Sequence, residues 1–216
     1  MVDIFIPFIA NHYDRVRRSF GSLFFQEYFP LRTVLWIEDP CHPQTEEFLN
    51  SVWYDPEERK LSPSTSTEPV EVEYCSRGVL ARNYQGHTGN AWRARQWIFE
   101  WEGKSDFVKM LDDDDILMPW AINVMMEYMT DDIEAVFHPL IGVPGRRLGG
   151  IISYSGSACM SGAGQMMLRK SLMDKILSDG FKWDRSHDDR EFYAFFRSRG
   201  YKHVMTKENM MYLYIK

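Results

Sequence analysis

The repeated order of a short apolar run followed by an amphipathic segment constrains this fold more than any other feature. Apolar runs occupy residues 2–9, 33–37 and 107–111, and residues 70–74 alternate as VEVEY. Continuous apolar runs are typical of parallel strands buried on both faces, whereas alternation is typical of a strand with one wetter face. Apolar residues at helical spacing follow these runs, and the clearest stripe comprises Ala121, Val124, Met125, Tyr128 and Met129. Four strand–helix units in succession predict an α/β fold with a largely parallel sheet flanked by helices.

The other segments are shorter or less regular. Asn11 is placed to cap a helix that begins near Tyr13, and residues 45–53 have helical character. The polar, proline- and serine-rich residues 55–69 predict an exposed loop that is too short to separate two domains. We therefore expect residues 1–216 to form one domain. The helices and strands expected in the second half are 171–177, 190–199, 202–205 and 211–215.

Composition excludes several broad classes of protein. With 25 Lys and Arg against 31 Asp and Glu, the formal net charge is −6, which argues against a general binder of nucleic acid or anionic membranes. The three cysteines form no CxxC pair, so neither structural zinc nor a disulfide framework is expected. The start of the chain has no signal-peptide pattern, and no stretch approaches the roughly 18 apolar residues of a membrane span. We therefore expect a cytoplasmic protein without a transmembrane segment.

Four adjacent aspartates at residues 112–115 directly follow the apolar FVKML. In an open α/β sheet, ligands bind beyond the carboxyl ends of the strands, and four neighbouring carboxylates repel one another. On an extended segment, Asp112 and Asp114 would project to one side and share a hard divalent ion whose open positions phosphate oxygens fill. The alternative is that one or two of the acids cap a helix whose first turn contains Pro119. Because capping does not need four acids, the cluster predicts a metal–diphosphate site.

Four motifs in register give the chain a specific resemblance. They are IPFIAN at 6–11 with Ser22, Leu23 and Gln26 downstream, WIED at 36–39, ARN at 81–83 followed by LDDDD at 111–115 and Pro119, and DDREF at 188–192 followed by Gly200. Over residues 2–206 the chain resembles the family-2 glycosyltransferases of the GT-A fold, a Rossmann-like α/β architecture. The resemblance implies a metal-dependent, inverting hexosyltransferase that uses a nucleoside-diphosphate sugar, most often a UDP-sugar. It also implies a nucleotide-sugar-binding half at about 1–115 and an acceptor-binding half at about 116–216.

The resemblance also implies roles for individual residues. The residues that it places around the nucleotide are Pro7, Phe8, Asn11, Asp39, Arg82, Asp112 and Asp113. Asp112 and Asp114 would form the DxD pair that holds Mn²⁺ or Mg²⁺ against the diphosphate, with Asp115 as a further acid of the metal site. The diphosphate gains negative charge as the sugar leaves, and a bound cation stabilises that charge.

Asp188 and Asp189 match the pair that supplies the general base in the family, with Asp188 where the family usually has Glu. We expect Asp189 to take the proton of the attacking hydroxyl, a role that contributes about 10²- to 10⁴-fold in rate. One carboxylate opposite the leaving group gives a single displacement and an inverted anomeric centre. The alternative is an ordinary helix N-terminus, where acids are favoured by the helix dipole. Trp183, just before this pair, is a candidate for stacking on a sugar ring.

Two other functions stay open from the sequence alone. A non-catalytic nucleotide- or glycan-binding module would keep the fold without turnover, although acids at both the metal and the base positions argue against it. A sugar-1-phosphate nucleotidyltransferase would carry a glycine-rich loop after the first strand, and PFIANHYDR contains no glycine. The acceptor, a glycan or another hydroxyl-bearing molecule, is not identified by any motif. A nucleic-acid acceptor would require a local basic face, for which the candidates are Arg15, Arg17, Arg18, Arg93 and Arg95.

Overall fold

The computed structural model describes residues 1–8, 12–28, 31–37, 43–44, 47–48, 53–55, 60–62, 70–75, 91–138, 140–143, 152–154, 163–184, 189–207 and 212–215. Within these residues the helices are α1 (Tyr13–Ser22), α2 (Ala91–Glu100), α3 (Ala121–Tyr128), α4 (Lys170–Ser178) and α5 (Asp189–Ser198), with 3₁₀ turns at Leu23–Phe25 and Ala163–Gln165. The first seven strands are β1 (Val2–Phe8), β2 (Leu31–Ile37), β3 (Trp53–Asp55), β4 (Lys60–Ser62), β5 (Val70–Cys75), β6 (Phe107–Met110) and β7 (Asp115–Leu117). The others are β8 (Ala135–Phe137), β9 (Leu140–Val143), β10 (Ile152–Tyr154), β11 (Met166–Arg169), β12 (His203–Met205) and β13 (Tyr212–Ile215). None of the described helices is long and apolar enough to cross a lipid bilayer.

Nine described strands form the main sheet, in the order β12-β8-β11-β6-β1-β2-β5-β4-β3. The centre of the sheet, β6-β1-β2-β5, is parallel, while β11 runs antiparallel between β6 and β8. The chain passes from β1 through β2 to β5 on one side and then returns to β6 on the other side of β1. This reversal is a topological switch point, where the carboxyl ends of β1 and β6 border a crevice. The predicted α/β fold with a largely parallel sheet flanked by helices is confirmed.

The central strand β1 is buried on both faces, as its apolar sequence predicts. Ile4, Ile6 and Phe8 pack on one side in a core that includes residues of α1 and α3. Phe5 packs on the opposite side in a second core with residues of α2, α4 and α5. The apolar stripe predicted for residues 121–129 is confirmed, because its residues belong to the first of these cores.

A second, smaller sheet has the order β10-β9-β13-β7. Its strand β7 begins at Asp115, which pairs with Tyr214 of the antiparallel strand β13. The small sheet therefore holds the far end of the acidic segment, while β6 of the main sheet holds the near end.

Several predicted local elements differ from the structure. Residues 60–62, inside the predicted exposed loop, form β4 and pair with β3 and β5. The segment predicted as helical at 45–53 is helical at 47–48, but from Trp53 it forms strand β3. Helix α1 begins at Tyr13 as predicted, but its N-cap residue is His12, and no side chain caps it. The strand pairing depends on partners distant in sequence, which local periodicity does not reveal.

The opposite end of β1 carries a buried ion pair. Asp3 is fully buried and accepts two hydrogen bonds from Arg32, each 2.8 Å long. It also accepts hydrogen bonds from the backbone N–H and the hydroxyl of Ser105, at 2.6 and 2.7 Å. Asp3 thereby ties β1 to β2 and to the turn before β6, and so fixes the centre of the sheet.

We predict that Asp3→Ala lowers the free energy of unfolding by about 3 kcal/mol, because it removes a fully buried carboxylate that accepts four hydrogen bonds from Arg32 and Ser105. Urea denaturation monitored by circular dichroism measures this loss. The exposed Asp106 offers a matched control, and Asp106→Ala should change stability by less than about 0.5 kcal/mol. Equal stability of the two variants would contradict the role given to Asp3.

Candidate active site

The four aspartates form a tight turn at the carboxyl end of β6, called here the acidic turn (residues 112–115). The preceding Leu111 N–H donates to the Phe5 carbonyl at 2.9 Å, which extends the pairing with β1. Within the turn, the Asp115 N–H donates to the Asp112 carbonyl at 3.2 Å. The prediction that these residues form an extended segment is therefore wrong. Asp112 and Asp114 are nevertheless the two half-exposed members of the turn, while the other two are buried.

Helix capping does not explain the acidic turn. Helix α3 begins at Ala121, its N-cap residue is Trp120, and no side chain caps it. Strand β7 separates the acids from this helix, and Pro119 precedes the N-cap residue rather than lying in the first turn. The capping alternative for Asp112–Asp115 is therefore excluded by the position of the helix.

The polar side of α1 holds the segment that follows the acidic turn. The Ser19 hydroxyl donates to the Asp113 carbonyl at 2.9 Å, and the Leu117 N–H donates to the Ser22 hydroxyl at 3.2 Å. Beyond the helix, the buried Gln26 side chain donates to the Met118 carbonyl at 2.9 Å. These contacts fix the backbone from the turn through β7 against α1.

His12, at the start of α1, contacts the acidic turn directly. Its Nδ1 lies 2.6 Å from Oδ2 of Asp113, so the imidazole N–H donates to the carboxylate. Burial raises the pKa of Asp113 to about 6, and the hydrogen bond with His12 opposes this rise. The Asp113 side chain is therefore directed to α1, and its predicted contact with a nucleotide stays a prediction.

Asp115 lies beside a buried lysine. Its side chain is 1% exposed, and its Oδ1 has no hydrogen-bond partner among the described residues. Burial, followed by repulsion from Asp112 and Asp114, raises the pKa of Asp115 to about 10. Lys109 is fully buried and donates to the carbonyls of Met110 and Gly164, and burial lowers the pKa of its ammonium group to about 7. Both shifts favour the neutral forms of the two side chains.

Arg95 of α2 joins the acidic turn to the candidate base. Its Nη1 donates to Oδ1 of Asp189 at 2.5 Å, and its Nη2 lies 3.6 Å from Oδ1 of Asp112. Asp189 is the first residue of α5. The two acidic motifs, far apart in sequence, are therefore brought together at one guanidinium group. Arg95, one of the candidates for a local basic face, is therefore largely buried and lies beside two carboxylates.

Trp183 is not a sugar-stacking platform in this structure. Its side chain is fully buried and stacks on Phe192, with ring centroids 4.9 Å apart. The guanidinium group of Arg95 lies over the Trp183 ring at 5.2 Å. Trp183 therefore supports Arg95 from the core, and the suggested contact with a sugar is wrong for the side chain as placed here.

The predicted nucleotide-binding residues are only partly described. Pro7 is half-buried near the end of β1. The Phe8 side chain is fully buried and packs edge-on against Phe48. The predicted residues that lie outside the described part of the chain are Asn11, Asp39, Arg82 and Asp188.

Sequence reasoning did not assign His12 or Lys109 to the site. A lysine inside the apolar run FVKML was the available signal for Lys109, because an unpaired charge is rarely buried in a strand. His12 had no comparable signal, since its partner is distant in sequence.

The donor set of the acidic turn consists of oxygens, which suits a hard cation such as Mg²⁺ or Mn²⁺. The unpartnered, buried Oδ1 of Asp115 and the half-exposed Asp112 and Asp114 are compatible with a cation at this place. Among the described residues, however, no three His, Cys, Asp or Glu side chains are already arranged around one metal position. The turn therefore fits a site that substrate oxygens complete.

Comparison with solved structures identifies the fold. The chain is similar to a 1–349 fragment of S. aureus TarS in complex with UDP-GlcNAc, with a TM-score of 0.66 and 14% sequence identity over 100% of this chain and 58% of the fragment. The same fragment in complex with UDP gives a TM-score of 0.60 at 14% identity, over 100% of this chain and 60% of the fragment. A mannosyltransferase from Pyrobaculum calidifontis in complex with GDP-Man and Mn²⁺ gives a TM-score of 0.57 at 12% identity, over 100% and 56%.

The chain has a GT-A-like glycosyltransferase fold. It spans about 58% of the length of the TarS fragment. No family model matches the sequence, and no curated protein matches it. At these identities the likeness establishes the fold alone, so the chemistry must be argued from the residues of the site.

We predict that Asp115→Asn changes the pH dependence of stability. The native Asp115 carboxyl keeps its proton up to about pH 10, whereas the unfolded chain releases it near the ordinary pKa of 3.8. Between these values the native state binds one more proton, so wild-type stability falls as pH rises. The variant lacks this contribution and should gain about 1 kcal/mol on the wild type for each pH unit between pH 5 and pH 7.

Thermal unfolding in EDTA at pH 5, 6 and 7 measures this gain, in a range below the titration of Lys109. Asp131 is exposed, and Asp131→Asn should follow the wild-type curve. Parallel curves for Asp115→Asn and the wild type would show that the native carboxyl is not held neutral.

Proposed function

We propose that this chain is a metal-dependent, inverting glycosyltransferase that moves a hexose from a nucleoside-diphosphate sugar, most often a UDP-sugar in the resembled family, to an acceptor hydroxyl. The observation that carries the proposal is the meeting of the acidic turn and Asp189 at Arg95, 3.6 and 2.5 Å from the two carboxylates. This meeting lies at the switch point of the sheet, where open α/β folds bind ligands. The bound UDP-GlcNAc and GDP-Man of the structural neighbours support a nucleotide-sugar donor.

The acidic turn would bind the diphosphate end of the donor. Asp112 and Asp114 are its half-exposed carboxylates, and with Asp115 they would hold Mn²⁺ or Mg²⁺. A bound divalent cation supplies electrostatic stabilisation to the leaving diphosphate. The Mn²⁺ in the P. calidifontis mannosyltransferase complex supports manganese as one such ion. Because burial raises the pKa of both Asp114 and Asp115, these acids bind a cation more readily as the pH rises.

Asp189 would act as the general base. Its carboxylate lies at the N-terminus of α5 and is 24% exposed, so an acceptor hydroxyl can approach it. It would take the hydroxyl proton as the acceptor oxygen bonds to the anomeric carbon and the diphosphate departs from the opposite face. A single displacement of this kind inverts the anomeric centre. Asp188 is proposed as the neighbouring acid of the pair.

The remaining assignments rest on the resemblance of the sequence to family-2 glycosyltransferases. Pro7, Asn11, Asp39 and Arg82 are proposed to line the nucleotide pocket with Asp113 beside them, and Phe8, whose side chain is fully buried, is proposed to support the pocket from the core. Residues up to about 115 would bind the donor, and those from about 116 would bind the acceptor, which we propose to be a glycan or another hydroxyl-bearing molecule.

We predict that one nucleoside diphosphate raises the melting temperature only when Mn²⁺ is present. UDP, GDP, CDP and dTDP are compared by thermal shift, each with and without Mn²⁺. A ligand at 100 times its dissociation constant stabilises by about 2.7 kcal/mol. Asp112→Asn and Asp114→Asn should abolish the metal-dependent shift, while Glu127→Gln, at an exposed position on α3, should keep it. Metal-independent shifts in every variant would argue against the acidic turn as the metal site.

We predict that Asp189→Asn binds nucleotide and Mn²⁺ but loses at least about 10²-fold in kcat, because the amide cannot accept the proton. Donor turnover and product NMR measure the rate and the anomeric configuration. Near-normal turnover by a folded Asp189→Asn protein would refute its role as the base. Donor binding without turnover by the wild type, over a panel of donors and acceptors, would instead favour a non-catalytic binding module.

A further inference from the structure

Arg95 is placed between two carboxylates that belong to different parts of the proposed reaction. Its side chain is 15% exposed, and its guanidinium group contacts both Asp112 and Asp189. The predicted cation site and the predicted base therefore share one positive charge. A residue in this position affects both sites without belonging to either motif.

The two contacts of Arg95 are unequal. The contact with Asp189, at 2.5 Å, is a direct charge-assisted hydrogen bond. The distance of 3.6 Å to Asp112 is too long for a hydrogen bond and leaves an electrostatic attraction. A small displacement of the guanidinium group would change the balance between the two acids.

The surroundings of Arg95 restrict where its guanidinium group can move. The Trp183 ring lies 5.2 Å below it, and this ring is itself stacked on Phe192 within the core. The backbone N–H of Trp183 donates to Oε1 of Gln96 at 2.7 Å, which fixes the segment against α2. The guanidinium group therefore lies on a rigid apolar base, with carboxylates on two sides.

We propose that Arg95 is a positioning residue for which Asp112 and Asp189 compete. Binding of a cation to the acidic turn would then fix the orientation of the Asp189 carboxylate. This inference rests on the proposed function. When Asp112 coordinates a divalent cation, its charge is no longer available to Arg95, and the cation repels the guanidinium group. Arg95 is then held by Asp189 alone and orients that carboxylate toward the acceptor. Lysine cannot replace it, since a single ammonium group lacks the planar fork that spans two acids.

The test is a double-mutant cycle in Mn²⁺ affinity, measured by calorimetry with Mn²⁺ as the only ligand. Arg95→Gln should tighten Mn²⁺ binding about fivefold, the effect of removing one positive charge near 4 Å from a carboxylate in water. Asp189→Asn should weaken Mn²⁺ binding, because the freed guanidinium group moves onto Asp112. In the Arg95→Gln background, the same Asp189→Asn change should have an effect at least about twofold smaller.

The inference is overturned if Arg95→Gln and Asp189→Asn have additive effects on the free energy of Mn²⁺ binding. A guanidinium group with a fixed position contributes a constant charge, so the effects of the two substitutions would simply multiply. Arg93→Gln provides the matched control on the same helix, because the Arg93 guanidinium lies over Trp92 at 5.0 Å, and it should leave Mn²⁺ affinity within about twofold of wild type. Circular dichroism confirms that each variant is folded before its affinity is used.

The cycle also separates this inference from the proposed function. A wild-type chain that binds no Mn²⁺ refutes the metal site and the coupling together, whereas Mn²⁺ binding with additive effects refutes the coupling alone. Where turnover is measured, Arg95→Gln should lower kcat more than it raises the donor KM, and Arg95→Lys should not restore kcat. A loss confined to the donor KM would assign Arg95 to donor binding and contradict the positioning role.

Discussion

Repulsion among four neighbouring carboxylates is the constraint on which the rest of this structure depends. Burial penalises charged carboxylates further, so four ionised acids in one turn would oppose folding. In the folded chain the four carboxylates lie in different surroundings. Asp113 pairs with His12, burial holds Asp115 neutral by raising its pKa, and Asp112 and Asp114 are half-exposed. The two acids nearest to solvent, Asp112 and Asp114, are the pair proposed to bind a cation together with Asp115.

Holding such a turn requires support from outside its own strand. Helix α1 supplies hydroxyl contacts along the segment from the turn through β7, and Gln26, beyond the helix, adds an amide contact. The small sheet holds the far end through β13, and the buried Lys109 lies beneath the turn in β6. Because these supports come from both sheets and a helix, the position of the acids is coupled to the whole fold. Changes far from the turn therefore alter its geometry.

The function rests on two independent arguments. The likeness to solved structures at 12–14% identity establishes a GT-A-like fold, and a fold alone does not define a reaction. The proposed chemistry comes from the chain itself, where Arg95 contacts both Asp112 of the acidic turn and Asp189. The proposed one-step displacement needs an acid cluster that binds the donor and a separate carboxylate that acts as the base, since the leaving group and the base act on opposite faces of one carbon.

The sequence by itself determined the α/β class, the parallel centre of the sheet and the place of the acids after β6, because these features depend on local hydrophobic periodicity and on chain order. The motif also included Gly200, which lies just after α5 and adopts a positive φ of 66°, a conformation that favours glycine. Only the tertiary structure decided that β4 joins the sheet, that Trp183 is buried and that Arg95 contacts Asp189. These are contacts between residues distant in sequence, and their energies depend on burial and distance, which no local pattern contains.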